Sequence, residues 1–162
     1  MYYVDCEREC VTRILIADDN QRIRGLIRDA LVAVEGFEVC GEACDAPSAV
    51  ERVKELMPDV LVLDLSMPKM GGVEAAPTLK QLNPRMPIIA FTVFAESAGS
   101  SLARAVGIDL VITKVDGLGK LIEGIRSLAP WGIPKTSRIR RIVDEARDLA
   151  PLFFGPPSDM AR

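Results

Sequence analysis

Apolar residues along the chain follow two alternating rhythms. Short uninterrupted runs at 14–17, Val60–Leu63, 88–91 and 110–112 have the length and the branched composition of buried strands. Between them the apolar positions recur at helical spacing. Ile23, Leu26, Ile27, Ala30, Leu31 and Val34 share one face over 21–34, and Ala49, Val50, Val53 and Leu56 share one over Ala46–Leu56. Leu118, Leu121, Ile122, Ile125 and Leu128 do the same over Gly117–Leu128. Phe37–Ala43 reads as a further strand, and its Glu38 and Glu42 suggest one wet face and an edge position. The segment 98–106 is a weaker helix because it contains Gly99, Ser100 and Ser101. The segment 73–82 has helical composition but contains Pro77, so its helix either begins late or is kinked there.

The resulting order, five strands each followed by a helix across residues 13–129, predicts an α/β fold: a doubly wound parallel sheet with helices on both faces. Residues 1–12 form an N-terminal extension and 130–162 a C-terminal tail. Within the tail Ile139, Ile142, Val143, Ala146 and Leu149 form one stripe, which predicts an extra amphipathic helix over 137–149 capped by Thr136 or Ser137. The tail is roughly half of what a packed helix-turn-helix output needs, so no DNA-binding output domain and no direct DNA binding are expected. Arg138, Arg140 and Arg141 read first as a solvated helix face, with a docking or nucleic-acid patch as the alternative.

Composition narrows the class without changing this order. The chain has 162 residues, 49% hydrophobic and 27% charged, as expected for one soluble globular domain. No apolar run approaches the ~20 residues of a membrane span, and MYYVDCEREC lacks the apolar core of a secretory signal. A cytoplasmic protein without membrane contact is the expectation. Net charge is -3, with six basic and four acidic residues in 131–162, so the acidity lies in the body of the chain. An acidic body argues against non-specific nucleic-acid binding. Cys6, Cys10, Cys40 and Cys44 form two C-x3-C pairs. Such spacing admits a zinc site, but without histidine and with Cys40 inside a strand, free thiols in a reducing compartment are the simpler reading.

The chemistry stands where strands end. Asp18 and Asp19 follow the first strand, Asp64 the third, Thr92 the fourth and Lys114 the fifth. In a doubly wound sheet these positions converge at the carboxyl edge, where ligands bind. Three carboxylates together would repel one another and raise their pKa values unless a cation offsets them, and Mg²⁺ suits such an oxygen donor set. Lys114 and Thr92 then suit the oxygens of a phosphoryl group. Each residue alone has a plainer role, as a helix cap, a loop start or a surface lysine, but those roles do not predict all of them at one edge.

Across residues 13–129 the sequence resembles the receiver domains of two-component response regulators. The resemblance is carried by Asp18-Asp19, Asp64, Met67-Pro68 with Gly71-Gly72, Thr92 and Lys114. The segment VLVLDLSMPKMGGVEA is especially similar to regulators with helix-turn-helix outputs. The resemblance implies a flavodoxin-like fold with strand order 2-1-3-4-5. It implies Asp64 as the phosphoacceptor, taking a phosphoryl group from a sensor histidine kinase or phosphotransfer protein. Asp19 would ligate Mg²⁺ with Asp64, Asp18 would assist directly or through water, and Ser66 would offer its backbone carbonyl. Thr92 and Lys114 would bind phosphoryl oxygens. The signal would pass to a downstream protein by contact or phosphorelay, in a monomer or a homodimer, and the chain would not be an enzyme acting on a separate substrate.

Three residues depart from the family pattern. Val115 replaces the proline after the lysine, so a cis bond there is disfavoured by about 2.5–4 kcal/mol and the loop is expected to sit differently. Val111 stands where most members carry an aromatic switch residue. Val93, with Phe94, makes the pocket mouth apolar. These motivate an alternative, a degenerate receiver serving as a phosphorylation-independent scaffold. A phosphatase with an aspartyl nucleophile is disfavoured because Ser66 occupies the place of its second aspartate.

Overall fold

The computed structural model describes residues 11–68, 71–93 and 100–129. Five strands, β1 (Thr12–Ala17), β2 (Phe37–Ala43), β3 (Val60–Leu63), β4 (Ile88–Thr92) and β5 (Leu110–Thr113), form one sheet of order β2-β1-β3-β4-β5. Every neighbouring pair is parallel. The helices are α1 (Gln21–Val32), α2 (Ala46–Leu56), α3 (Gly72–Leu82), α4 (Ser100–Ala105) and α5 (Gly117–Leu128).

Because side chains alternate along a strand, each central strand feeds two cores. Leu15, Ala17, Leu61 and Leu63 pack under α2 and α3 with Ala49, Val53, Ala76 and Leu79. Ile14, Ile16, Val60 and Val62 pack under α1 and α5 with Ile27, Leu31, Leu121 and Ile125. The strands buried on both faces are therefore the ones that read as continuous apolar runs. β2 and β5 are the edge strands, as the order 2-1-3-4-5 implies, and at the β5 edge Leu110, Val111 and Thr113 are only half-buried, against the reading of their apolar run as a buried strand.

β2 is irregular. Val39 pairs with Ile14 and Gly41 with Leu15, which leaves Cys40 as an extra residue in a bulge. The Cys40 thiol donates to the Ile14 carbonyl at 3.4 Å, and burial pushes its pKa up. Cys44 is exposed, and Cys6 and Cys10 lie outside the described residues. Glu38 and Glu42 therefore do not share one wet face, because the bulge lies between them.

α3 begins at Gly72 with Pro77 inside it, so it does not begin late. Pro77 is exposed, and it offers no amide to the carbonyl of Val73 one turn earlier. The early start has a steric cause: a Cβ on Gly72 would lie 2.5 Å from the Asp64 carbonyl oxygen and 3.0 Å from Leu65 Cα. Glycine lets the helix start directly against the strand end that carries Asp64. Phe94, the extra helix expected over 137–149 with its arginines, and the segments 1–10 and 130–162 lie outside the described residues.

Candidate phosphoacceptor site

The carboxyl edge of the sheet gathers the polar residues. Asp18, Asp64, Thr92 and Lys114 are all buried, and apart from Thr12 the other buried side chains among the described residues are apolar. Lys114 follows β5 and is 2% exposed. Its ammonium donates to Asp18 Oδ2 at 2.6 Å and to Asp64 Oδ2 at 2.8 Å. The second oxygen of each carboxylate is held locally: Asp18 Oδ1 accepts from the Asn20 amide at 2.8 Å, and Asp64 Oδ1 from the Ser66 amide at 3.1 Å. Both acids are thus fixed at both oxygens, each by one charge-assisted bond and one peptide bond donor.

Backbone contacts set these acids at one height. The Asp18 amide donates to the Ala43 carbonyl at 3.1 Å, and the Asp64 amide to the Ala17 carbonyl at 2.8 Å. Asn20 then caps α1, its side chain accepting from the Arg22 and Ile23 amides. Asn20, not Asp19, is therefore the cap, which leaves the Asp19 carboxylate exposed and without a bonded partner among the described residues. One oxygen from each of Asp18, Asp19 and Asp64 lies within 4.8 Å of the others. An all-oxygen set with two buried members and one exposed fits a hard divalent cation that keeps part of its water shell.

Burial holds the Asp18 carboxyl above its usual range. Desolvation outweighs the bond and charge of Lys114 and the Asn20 amide, and the Asp64 charge acts in the same direction as burial. Thr92 closes the other side of the pocket, its hydroxyl 3.3 Å from that of Ser66. All the residues expected at this edge are therefore neighbours in space.

The family model for the response regulator receiver domain matches residues 14–126. The chain belongs to the response regulator receivers. It is 37% identical to protein-glutamate methylesterase/protein-glutamine glutaminase 1 of Dechloromonas aromatica (strain RCB), over 92% of this chain and 44% of that protein. It is 31% identical to the chemotaxis protein CheY of Thermotoga maritima, over 72% of this chain and 97% of CheY. The receiver thus spans less than half of the methylesterase and nearly all of CheY. A LuxR-family two-component response regulator from Aurantimonas sp. SI85-9A1 has a similar structure, with a TM-score of 0.71 and 28% identity over 85% of this chain and 99% of that one.

The departures of this receiver can now be placed. Lys114–Asp116 forms a turn of 3-10 helix, and the described residues contain no cis peptide. Thr113 caps the turn reciprocally: its hydroxyl accepts from the Asp116 amide at 3.1 Å, and Asp116 Oδ2 accepts from the Thr113 amide at 3.1 Å. That reciprocal cap holds the loop without a proline. Val115 and Val93 are 59% and 51% exposed, one following β5 and the other β4. Val111 packs partly against the core under α3 and α4. None of the three valines displaces an acid, the lysine or Thr92, so the scaffold reading is not favoured.

Sequence reasoning missed two contributors, Arg24 and Glu42. Arg24 on α1 donates to the Asp18 carbonyl at 2.7 Å and to Glu42 on β2 at 3.0 Å. Their only signal in the sequence is the opposite charge, and the fold alone brings them together across 18 positions.

Proposed function

We propose that the chain accepts a phosphoryl group on Asp64 from a phosphohistidine of a sensor kinase or phosphotransfer protein, and that it signals by binding a downstream protein. The observation that carries this reading is the bridging of Asp18 and Asp64 by Lys114 beside a third, unpartnered carboxylate, Asp19. Asp18, Asp19, Asp64 and the Ser66 backbone carbonyl would hold Mg²⁺, which neutralises charge on the incoming phosphoryl oxygens when bound. The Asp64 carboxylate is the nucleophile, oriented by Lys114 and the Ser66 amide. Lys114 remains beside the acyl phosphate to offset its charge, and the Thr92 hydroxyl donates to a phosphoryl oxygen. The chain's chemistry is then acceptance and loss of one group, not turnover of a separate substrate. Partners of this kind place it in the cytoplasm. No helix among the described residues is long and apolar enough to cross a membrane.

Incubation with acetyl phosphate and Mg²⁺, followed by intact-mass measurement, tests the reading. One added phosphoryl group that is lost in Asp64→Asn supports it. Absence of labelling in the intact protein, or undiminished labelling in Asp64→Asn, overturns it.

A further inference from the structure

Of the three acids, two have their carboxylate oxygens bonded and one does not. Asp19 is exposed and makes no side-chain hydrogen bond or ion pair among the described residues, so only its backbone and its own rotamer set its direction. That backbone begins with the peptide linking Asp18 to Asp19. The carbonyl of this peptide is the atom that Arg24 Nη1 reaches at 2.7 Å. On its other side, Arg24 Nε donates to Glu42 Oε2 at 3.0 Å, and the Arg24 side chain is 13% exposed. Arg28, one helical turn further, takes Glu42 Oε1 at 2.9 Å but does not touch Asp18. Glu42 is itself fixed in β2, opposite Ile16 of β1, one residue before the Ala43 carbonyl that receives the Asp18 amide.

We propose that Arg24, anchored by Glu42, is a positioning residue for Asp19. Together they fix the plane of the 18–19 peptide and so the direction in which the unpartnered carboxylate points. The planar guanidinium suits this task, because its fork serves a carboxylate on one edge and a carbonyl on another at the same time. Two effects of Arg24 on a divalent cation have opposite sign. As a nearby positive charge it opposes Mg²⁺; as a brace it lowers the ordering cost of the third ligand. The sign of the Arg24 substitution therefore separates positioning from charge, whereas loss of the Glu42 charge weakens Mg²⁺ binding on either account.

The inference rests on the Mg²⁺ site proposed above, and calorimetric Mg²⁺ titration of the unphosphorylated full chain tests both. Arg24→Met and Glu42→Gln are expected to weaken Mg²⁺ binding by roughly tenfold, the scale found when groups supporting metal ligands are removed. Arg28→Gln, which loosens the same Glu42 without touching the 18–19 peptide, is expected to bind Mg²⁺ as the parent does. Melting temperatures measured alongside separate this from a general loss of fold, since Arg24→Met and Glu42→Gln lose the part-buried Arg24–Glu42 pair and Arg28→Gln only the more exposed pairs of Arg28. Phosphorylation by acetyl phosphate in the two weakened variants is expected to recover when Mg²⁺ is raised tenfold. Unchanged or tighter Mg²⁺ binding in Arg24→Met overturns the positioning role while leaving the site intact, whatever Glu42→Gln does. Failure of the parent protein to bind Mg²⁺ overturns the site and the positioning role together.

Discussion

Lys114 Nζ lies 2.6 Å from Asp18 Oδ2 and 2.8 Å from Asp64 Oδ2, so one buried cation holds two buried acids from strands that are not its neighbours. Removing the cation leaves both carboxylates desolvated and facing each other. Lys114→Met should therefore cost about 3–5 kcal/mol at neutral pH, the range for breaking a buried pair from one side. Urea denaturation measures this, and part of the loss should return on acidification as the acids take up protons. A loss below about 1 kcal/mol would mean that water already screens the site.

Asp18 predicts a pH dependence in metal-free protein. Its carboxyl is raised above the ordinary 3.8 by burial, so the native state takes up this proton more readily than the unfolded chain. The associated stability is present at low pH and is lost as pH rises from the ordinary carboxylate range through the raised value. Asp18→Asn stays neutral throughout and should lack this part of the decline. Denaturation across the acidic range with a chelator present checks it; parallel profiles for the two proteins would contradict the assignment.

Asp19 should separate binding from folding. It is exposed and unpartnered, so Asp19→Ala should change stability by no more than about 0.5 kcal/mol. The same change removes the exposed oxygen ligand and should abolish Mg²⁺-dependent phosphorylation. Retained Mg²⁺ affinity in this variant would remove Asp19 from the site.

Two helical glycines should respond differently to alanine. In Gly72→Ala the new Cβ meets backbone, the Asp64 carbonyl oxygen at 2.5 Å, so α3 or the Asp64 strand end must move. A cost of about 1–3 kcal/mol and slower phosphorylation are expected. In Gly124→Ala the Cβ meets only side-chain ends, Leu110 Cδ2 at 2.8 Å and Ile112 Cδ1 at 2.9 Å. Those can turn away, and the gain in helix propensity of about 1 kcal/mol offsets the crowding. Thermal melts of the pair give the comparison.

Much of this was legible in the residue order because burial on two faces writes itself into apolar runs. The ends of β2, α2, β3 and α5 fall where the periodicity starts and stops. The acids and the lysine were legible because strand ends of a parallel sheet share an edge. What stayed hidden depends on contacts between distant segments. Pro77 obscured the start of α3, since the helix is set by Gly72 against Asp64 and not by local propensity. The half-exposure of β5 was hidden in its apolar run, because three apolar residues cannot tell an edge strand from an inner one; only the strand order implied by the resemblance put it at the edge. Arg24 and Glu42 carried no motif, only charges that ordinarily belong to a solvated face.

The bulge at Cys40 has a consequence for the parity of β2. Phe37 and Val39 face the core under α1 and α5. With strict alternation Glu42 would fall on the opposite face, toward α2. Cys40 and Gly41 instead occupy the α2 side in succession, and a glycine second avoids crowding Leu56, whose Cδ1 a Cβ there would meet at 2.6 Å. The count is thereby shifted by one, and Glu42 arrives beneath α1 where Arg24 and Arg28 meet it. Straightening the bulge, so that Cys40 takes a regular place opposite Leu15, would preserve the strand's composition and length. It would nonetheless transpose Glu42 and Ala43, turning the carboxylate into the α2 layer and a methyl toward the arginines. The odd residue in an edge strand is in this sense an addressing device: it decides which side of the sheet a charge is delivered to.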